Sequence, residues 1–112
     1  MREKRIASVL EREVSTIITQ DMRDPRLGFI TVTRVEVSPD LKTAIVYFSS
    51  LEKKSESLEI LNKARGFIRT TLARRVKLKF MPELQFKIDD SYEYGKKIDE
   101  LFETINRDDT EE

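Results

Sequence analysis

The chain has 112 residues, and its 21 basic and 21 acidic side chains give a formal net charge of zero. This length suits one domain with a single modest hydrophobic core. Cysteine and histidine are absent, which excludes disulfides, thiolate metal sites, thiol nucleophiles and the most common general base. Because there is no apolar run long enough to span a bilayer and no secretory signal, we expect a cytoplasmic protein without membrane contact.

A helix and a turn are predicted at the N-terminus. Apolar side chains recur at steps of three and four between residues 3 and 21, with charged residues between them, as on one face of an amphipathic helix. The helix should end before Asp24-Pro25, because the residue before a proline is disfavoured in the helical conformation. Residues 24–28 then form a turn.

A β-hairpin is predicted next. Residues 29–37 are rich in β-branched side chains and predict one strand, and residues 42–49 alternate between apolar and polar faces and predict a second. Between them, Ser38-Pro39-Asp40-Leu41 places proline at the second turn position, where its fixed φ suits a type I turn. Because this connection is short, the two strands should pair antiparallel.

Residues 55–76 predict a helix that is interrupted. In a straight helix, four apolar side chains would share one narrow arc: Leu58, Leu61, Leu72 and Val76. Arg65 would fall in the middle of that arc and point at the core. We therefore predict a break at Ala64-Arg65-Gly66, where Gly66 weakens a helix by about 1 kcal/mol relative to alanine. The alternative is a straight helix whose Arg65 snorkels to water.

The C-terminal third predicts a third strand and a further helix. Residues 78–89 alternate, with one face formed by Phe80, Pro82, Leu84, Phe86 and Ile88. Because Pro82 lacks a backbone N–H, its stretch should lie at an edge, at a bulge or before the ladder begins. Helical spacing in residues 91–105 predicts a C-terminal helix, and the polar, acidic residues 106–112 predict a disordered tail.

The order of elements predicts the architecture. An α-β-β-α-kink-α-β arrangement, with three strands covered by helices on one face, is a two-layer α+β domain. We predict a single domain over residues 1–105, with the C-terminal helix beginning at about residue 91. Since a helical crossover leads back to the third strand, at least one strand pair can be parallel.

The neutral total hides a strong segregation of charge. Residues 1–82 carry 17 basic and 10 acidic side chains, whereas residues 83–112 carry 4 and 11. Residues 63–79, hereafter the basic segment, contain no acidic residue and seven cations: Lys63, Arg65, Arg69, Arg74, Arg75, Lys77 and Lys79. Because arginine and lysine bind phosphate, we predict that these seven residues bind RNA. The alternatives are a solvated charged surface, or stabilisation of a helix C-terminus by Arg74, Arg75 and Lys77.

The sequence contains no recognisable catalytic constellation. Glycine occurs only at positions 28, 66 and 95, so there is no glycine-rich phosphate loop. The side chains of Asp89 and Asp90 would point to opposite faces of a strand, which does not suit paired acid–base chemistry. We therefore expect no catalysis, cofactor, metal or small-molecule substrate. A competing hypothesis is a protein-interaction module that uses a sheet edge or the C-terminal helix, whose apolar stripe is Ile98-Leu101-Phe102-Ile105.

Several motifs, taken in their order and spacing, resemble the bacterial ribosome-binding factor A family. The matching stretches are Arg5-Ile6-Ala7, Asp24-Pro25-Arg26, the run from Ile30 to Leu41, Ala44-Ile45-Val46-Tyr47, Ala64-Arg65-Gly66-Phe67-Ile68-Arg69, Leu72-Ala73, Pro82-Glu83-Leu84-Gln85-Phe86 and Asp89-Asp90-Ser91. The resemblance extends to about Leu101. It implies a type II KH-like fold and a monomeric ribosome assembly factor that binds the immature 30S small ribosomal subunit.

The resemblance further implies a role in late 16S rRNA processing and maturation, and in growth at low temperature. An ordinary KH domain brings RNA close to its backbone through a Gly-x-x-Gly loop. The family resembled here has an Ala-x-Gly kink at that place, matched by Ala64-Arg65-Gly66. Because the loop is missing, we expect recognition of rRNA shape and phosphate rather than the reading of single-stranded nucleotides in the usual KH manner.

Overall fold

The computed structural model describes residues 2–22, 24–27, 29–51 and 53–90. The elements follow the predicted order: α1 Arg2–Thr16, β1 Ile30–Val37, β2 Thr43–Ser50, α2 Lys54–Lys63, α3 Arg65–Arg75 and β3 Glu83–Ile88. The predicted C-terminal helix over residues 91–105 and the predicted tail over residues 106–112 lie outside the described residues. Among the described helices, none combines the length and the apolar character that a membrane span requires.

The N-terminal helix continues past α1 as a π-helical segment, Ile17–Met22. Ile17 and Ile18 are both buried there, so the wider turn keeps two consecutive isoleucines against the core. A short 3₁₀ turn, Pro25–Leu27, follows, at the place where the Asp24-Pro25 pair predicts the end of the helix. Asp24 accepts hydrogen bonds from the backbone N–H and the guanidinium of Arg26, which fixes this turn.

The three strands form one mixed sheet in the order β1-β2-β3. β1 and β2 are antiparallel, as the short connection predicts, whereas β2 and β3 are parallel. The β1–β2 register shifts between Val32 and Arg34, which leaves Thr33 as a bulge. Thr33 donates a hydrogen bond to the carboxylate of Asp89, which lies just beyond β3. This contact links both edges of the sheet across the central strand.

The core lies between one face of the sheet and the helices. β2 contributes Ala44, Val46 and Phe48, all fully buried, from its alternate positions. The helices contribute the equally buried Leu10, Val14, Ile17, Leu61, Ile68 and Leu72. The opposite face of the sheet carries exposed polar side chains such as Arg34, Glu36 and Lys87. The domain therefore has two layers, with the helices on one face of the sheet.

The third strand is shorter than the predicted span of residues 78–89. The β2–β3 ladder begins where the Glu83 N–H donates to the Lys42 carbonyl at 2.8 Å, because Pro82 has no N–H to offer. Pro82 thus lies before the ladder, one of the three predicted positions. Phe80 is 76% exposed whereas Leu84 and Phe86 are buried, so the prediction that these residues share one face was wrong for Phe80. Lys77 and Lys79 lie in the loop before β3 rather than in a strand.

The predicted break in the long helix is present. α2 ends at Lys63, Ala64 has φ −85° and ψ 1°, and α3 begins at Arg65. Arg65 and Gly66 are both exposed, so the break frees the guanidinium from the core. A Cβ on Gly66 would meet nothing within 4 Å. The break therefore owes more to the packing of two separate apolar faces than to a steric need for glycine.

Candidate nucleic-acid interface

The basic segment occupies the end of α2, the kink, all of α3 and the first part of the loop to β3. Its cations are not equally available. Arg65, Arg74, Lys77 and Lys79 are exposed and form no ion pair with any of the described residues. We call these four the free cations. At these positions an external phosphate competes with no carboxylate of the described residues.

Arg74 owes its exposure to helix geometry. It follows the buried Leu72 by two residues, so its side chain points about 160° away from the core. Arg65 is at the kink, and Lys77 and Lys79 are in the loop that follows α3. The free cations therefore surround α3 and its ends rather than form a single stripe. Such a distribution suits several phosphates of a folded RNA better than one extended strand.

Arg69 binds the loop before β3. Its Nε donates to the Pro82 carbonyl at 3.1 Å and its Nη2 donates to the Met81 carbonyl at 2.7 Å. The same Nη2 lies 3.6 Å from a carboxylate oxygen of Glu83. These contacts fasten the loop before β3 to α3. The guanidinium is half-buried, so the predicted RNA contact by Arg69 competes with bonds inside the protein.

Arg75 is also bound internally. Its Nη2 donates to a carboxylate oxygen of Asp21, and its Nη1 lies 3.8 Å from a carboxylate oxygen of Glu13. Both acidic residues belong to the N-terminal helix, so Arg75 joins α3 to it. Lys63 forms an exposed pair with Glu59 one helical turn earlier, at 3.2 Å. A pair of that kind contributes little stability and is readily exchanged for a phosphate.

The structure adds two cations that the basic segment does not contain. Arg2, at the start of α1, and Lys42, in the hairpin turn, line the same cavity as Arg69 and Lys79. Sequence reasoning missed both, because they are separated from the basic segment by more than twenty residues. The only sequence signal available was the general excess of basic residues over residues 1–82.

Tyr47 lies on the open face of the sheet, where its ring is partly covered. The guanidinium carbon of Arg34 is 4.1 Å from the ring centroid, and the hydroxyl donates to Glu36 at 3.2 Å. Arg34 also pairs with Glu36 at 3.3 Å. This closed surface network makes Tyr47 a poor platform for a base.

Two carboxylates in turns have shifted pKa values. The hydroxyl of Ser38 and the backbone N–H of Lys42 hold the pKa of Asp40 below its ordinary value, and Arg26 lowers the pKa of Asp24 in the same way. Both shifts reflect hydrogen bonds that shape a turn. Among the described residues, no group of three or more carboxylates could hold a metal ion.

The element order, the mixed three-stranded sheet and the kinked helix pair define a type II KH-like domain with a basic surface around the kink. A family model described as ribosome-binding factor A matches residues 2–102. The chain belongs to the ribosome-binding factor A family. It is 43% identical over 111 residues to ribosome-binding factor A of Macrococcus caseolyticus strain JCSC5402, and the match covers 96% of this chain and 97% of that protein.

Solved structures show the same likeness. The crystal structure of ribosome-binding factor A from Thermus thermophilus matches with a TM-score of 0.73 at 30% identity, covering 77% of this chain and 94% of that chain. A homology model of the Thermus thermophilus factor, fitted into a cryo-EM map of its complex with the 30S subunit, matches with a TM-score of 0.67 at 31% identity. That match covers 75% of this chain and 91% of the other.

Proposed function

We propose that this protein is a ribosome assembly factor that binds the immature 30S small ribosomal subunit and assists late 16S rRNA processing and maturation, including at low temperature. The observation that carries the proposal is the set of free cations, Arg65, Arg74, Lys77 and Lys79, around a kinked helix pair in a chain of this family. Support also comes from the Thermus thermophilus relative, which has been fitted into a map of a complex with the 30S subunit.

In this proposal the free cations contact rRNA phosphates directly. Lys63 joins them once its exposed pair with Glu59 opens. Arg69 and Arg75 add to the positive field while they fasten the loop and the N-terminal helix to α3. The kink Ala64-Arg65-Gly66 takes the place of the Gly-x-x-Gly loop, so recognition rests on phosphate positions and shape.

The proposal extends to the protein as a whole. It acts as a cytoplasmic monomer without catalysis of its own, because its contribution is to occupy folded rRNA rather than to transform a bound molecule. Residues 1–105 form the single RNA-binding domain, and residues 106–112 form an acidic tail. Analytical ultracentrifugation of the full chain tests the monomer, and turnover assays of the pure protein with RNA and nucleotides test the absence of catalysis.

Co-sedimentation with small subunits tests the binding surface. Reversing Arg74 and Lys77 to glutamate should weaken binding at least tenfold and lower the slope of log affinity against log salt by about 1 for each lost phosphate contact. Reversing Lys53 and Lys87, two exposed lysines outside the basic segment, changes the net charge equally and serves as the matched control. If both double variants weaken binding to the same degree, net charge rather than this surface is responsible.

The role in maturation is tested in cells. Deletion of the gene should cause precursor 16S rRNA to accumulate, most strongly at low temperature. The wild-type gene should reverse this effect, and the gene carrying the Arg74 and Lys77 reversals should not. Normal 16S rRNA ends in the deletion strain at low temperature would contradict the maturation role even if the protein bound small subunits in vitro.

A further inference from the structure

A cavity of about 650 Å³ opens beside Arg69 of α3, where three other parts of the chain meet. The start of α1 contributes Arg2 and Ile6, the hairpin turn contributes residues 40–42, and the loop before β3 contributes residues 78–82. Its size falls in the range of small-molecule and nucleotide sites. The cavity lies at the beginning of β3, apart from the kink Ala64-Arg65-Gly66.

The cavity has an exposed aromatic ring at its edge. Phe80 is 76% exposed, although most phenylalanines in folded domains are largely covered. The apolar side chains of Ile6, Leu41, Leu78 and Met81 line the space beside it. A largely exposed ring next to an apolar recess is a surface on which a flat, partly apolar group can stack.

Besides Arg69, three cations line the cavity that Phe80 borders. The Nζ of Lys79 is 5.7 Å from the centroid of Phe80, and Arg2 and Lys42 line the same cavity. None of these three forms an ion pair with a residue in the described parts of the chain. Two carboxylates also line the cavity, but both have partners within the protein. Asp40 accepts hydrogen bonds from the Ser38 hydroxyl and the Lys42 backbone N–H, and Glu83 lies beside Arg69. The rim therefore offers positive charge to a ligand.

The loop that carries Phe80 is fixed before any ligand arrives. Arg69 donates to the carbonyls of Met81 and Pro82, and the backbone of Glu83 pairs with Lys42 at the start of the ladder. Phe80 therefore lies between the end of α3 and the residues Met81 and Pro82, whose carbonyls are bound by Arg69. Such preorganisation lowers the entropic cost of binding.

We infer that this cavity is a stacking site for an unpaired nucleobase of single-stranded RNA, with Phe80 as the platform and Lys79, Lys42 and Arg2 as contacts for the flanking phosphates. A nucleobase fits because it is flat and aromatic, and the phosphates of the RNA backbone complement the positive charges of Lys79, Lys42 and Arg2. The inference rests on the proposed function, and it adds a second contact beside the free cations. An RNA that leaves one base unpaired next to a folded region would engage both.

The test compares four proteins: wild type, Phe80→Ala, Phe80→Tyr and Phe29→Ala. Phe29 is the matched control, since it is 81% exposed and adjoins Ile30, which pairs with Ser50 at the opposite end of β2, roughly 20 Å away. Each protein is titrated into a fluorescently labelled single-stranded decauridylate and, separately, into small subunits. Circular dichroism confirms that each variant is folded.

Loss of the ring should weaken binding of the decauridylate roughly 5- to 150-fold, the range expected for one stacked base. Phe80→Tyr should retain most of the affinity, and Phe29→Ala should match wild type. The salt dependence of Phe80→Ala should equal that of wild type, because the phosphate contacts remain. Phe80→Ala should also bind small subunits more weakly.

Three results overturn the inference. In the first, wild type shows no binding to the decauridylate. In the second, Phe80→Ala binds that RNA as tightly as wild type, even if it binds small subunits less well, which would indicate a protein contact on the subunit. In the third, Phe29→Ala loses as much affinity as Phe80→Ala. If wild type binds the decauridylate through Phe80 but does not bind small subunits, the stacking site stands and the proposed function fails.

Discussion

Residues of the same type in the basic segment have different structural roles. Arg69 and Arg74 are both arginines of α3, yet Arg69 donates to two backbone carbonyls while Arg74 forms no ion pair with the residues that the structure describes. The difference follows from position around the helix. Arg69 is next to the buried Ile68 and reaches the loop before β3, whereas Arg74 points to solvent.

Arg69→Ala should destabilise the domain by about 1–3 kcal/mol, because two loop carbonyls lose a charged donor. Arg74→Ala, the matched control on the same helix, should change stability by less than about 0.5 kcal/mol. Urea unfolding of both variants measures the free energy of unfolding. Equal effects of the two substitutions would show that the Arg69 contacts do not stabilise the loop.

At the scale of the element, the β1–β2 turn depends on one carboxylate. Asp40 accepts hydrogen bonds from the Ser38 hydroxyl at 2.6 Å and from the Lys42 backbone N–H at 3.0 Å. The next residue, Leu41, has φ 62°, as in a type I turn followed by a residue in the left-handed region. The turn places Leu41 and Lys42 at the cavity described above, so its geometry matters beyond the hairpin.

The Asp40 carboxylate should make stability depend on pH. Its pKa is lower in the folded protein than the ordinary value of 3.8, so its contribution is present above about pH 4 and is lost as the pH falls below that value. Asp40→Asn removes this titration. The difference in thermal stability between wild type and Asp40→Asn should therefore be constant between about pH 5 and 7 and shrink as the pH falls toward about 3. A difference that persists unchanged at the acid end of this range would contradict the role of the charge.

At the scale of the whole molecule, one long-range hydrogen bond connects the two edges of the sheet. Thr33 in the β1 bulge donates to Asp89 after β3, and Asp89 is only 8% exposed. Burial of a carboxylate is costly unless its oxygens accept hydrogen bonds. The contact joins residues 56 positions apart and stabilises the placement of β3 beside β2.

Thr33→Val keeps the shape of the side chain and removes the hydroxyl, so it should destabilise the domain by about 1–3 kcal/mol. Thr31→Val, at an exposed position of the same strand, is the control and should be near neutral. Chemical unfolding of both variants at neutral pH provides the comparison. If Thr33→Val is as stable as Thr31→Val, the remaining partners of Asp89 are sufficient to stabilise its buried carboxylate.

Much of the fold could be predicted from local pattern. The period of three and four residues predicts the helices, the β-branched run and the alternation predict the hairpin, and the conflict at Arg65 predicts the break at Ala64-Arg65-Gly66. These features could be predicted because each depends on residues of one continuous stretch of sequence. The start of β3 was predicted too early, since alternation around Phe80 resembles a strand although Pro82 prevents the ladder from beginning there.

The sequence by itself determined the order of elements, the excess of positive charge before residue 83 and the identity of the seven cations of the basic segment. Only the tertiary structure decided that Arg69 and Arg75 bind internal partners while Arg65, Arg74, Lys77 and Lys79 form no ion pair within the described part of the chain. It alone brought Arg2 and Lys42 to Lys79 and the exposed Phe80. The physical reason is that periodicity reports which face a residue occupies, whereas pairing and stacking depend on what the rest of the chain places opposite it.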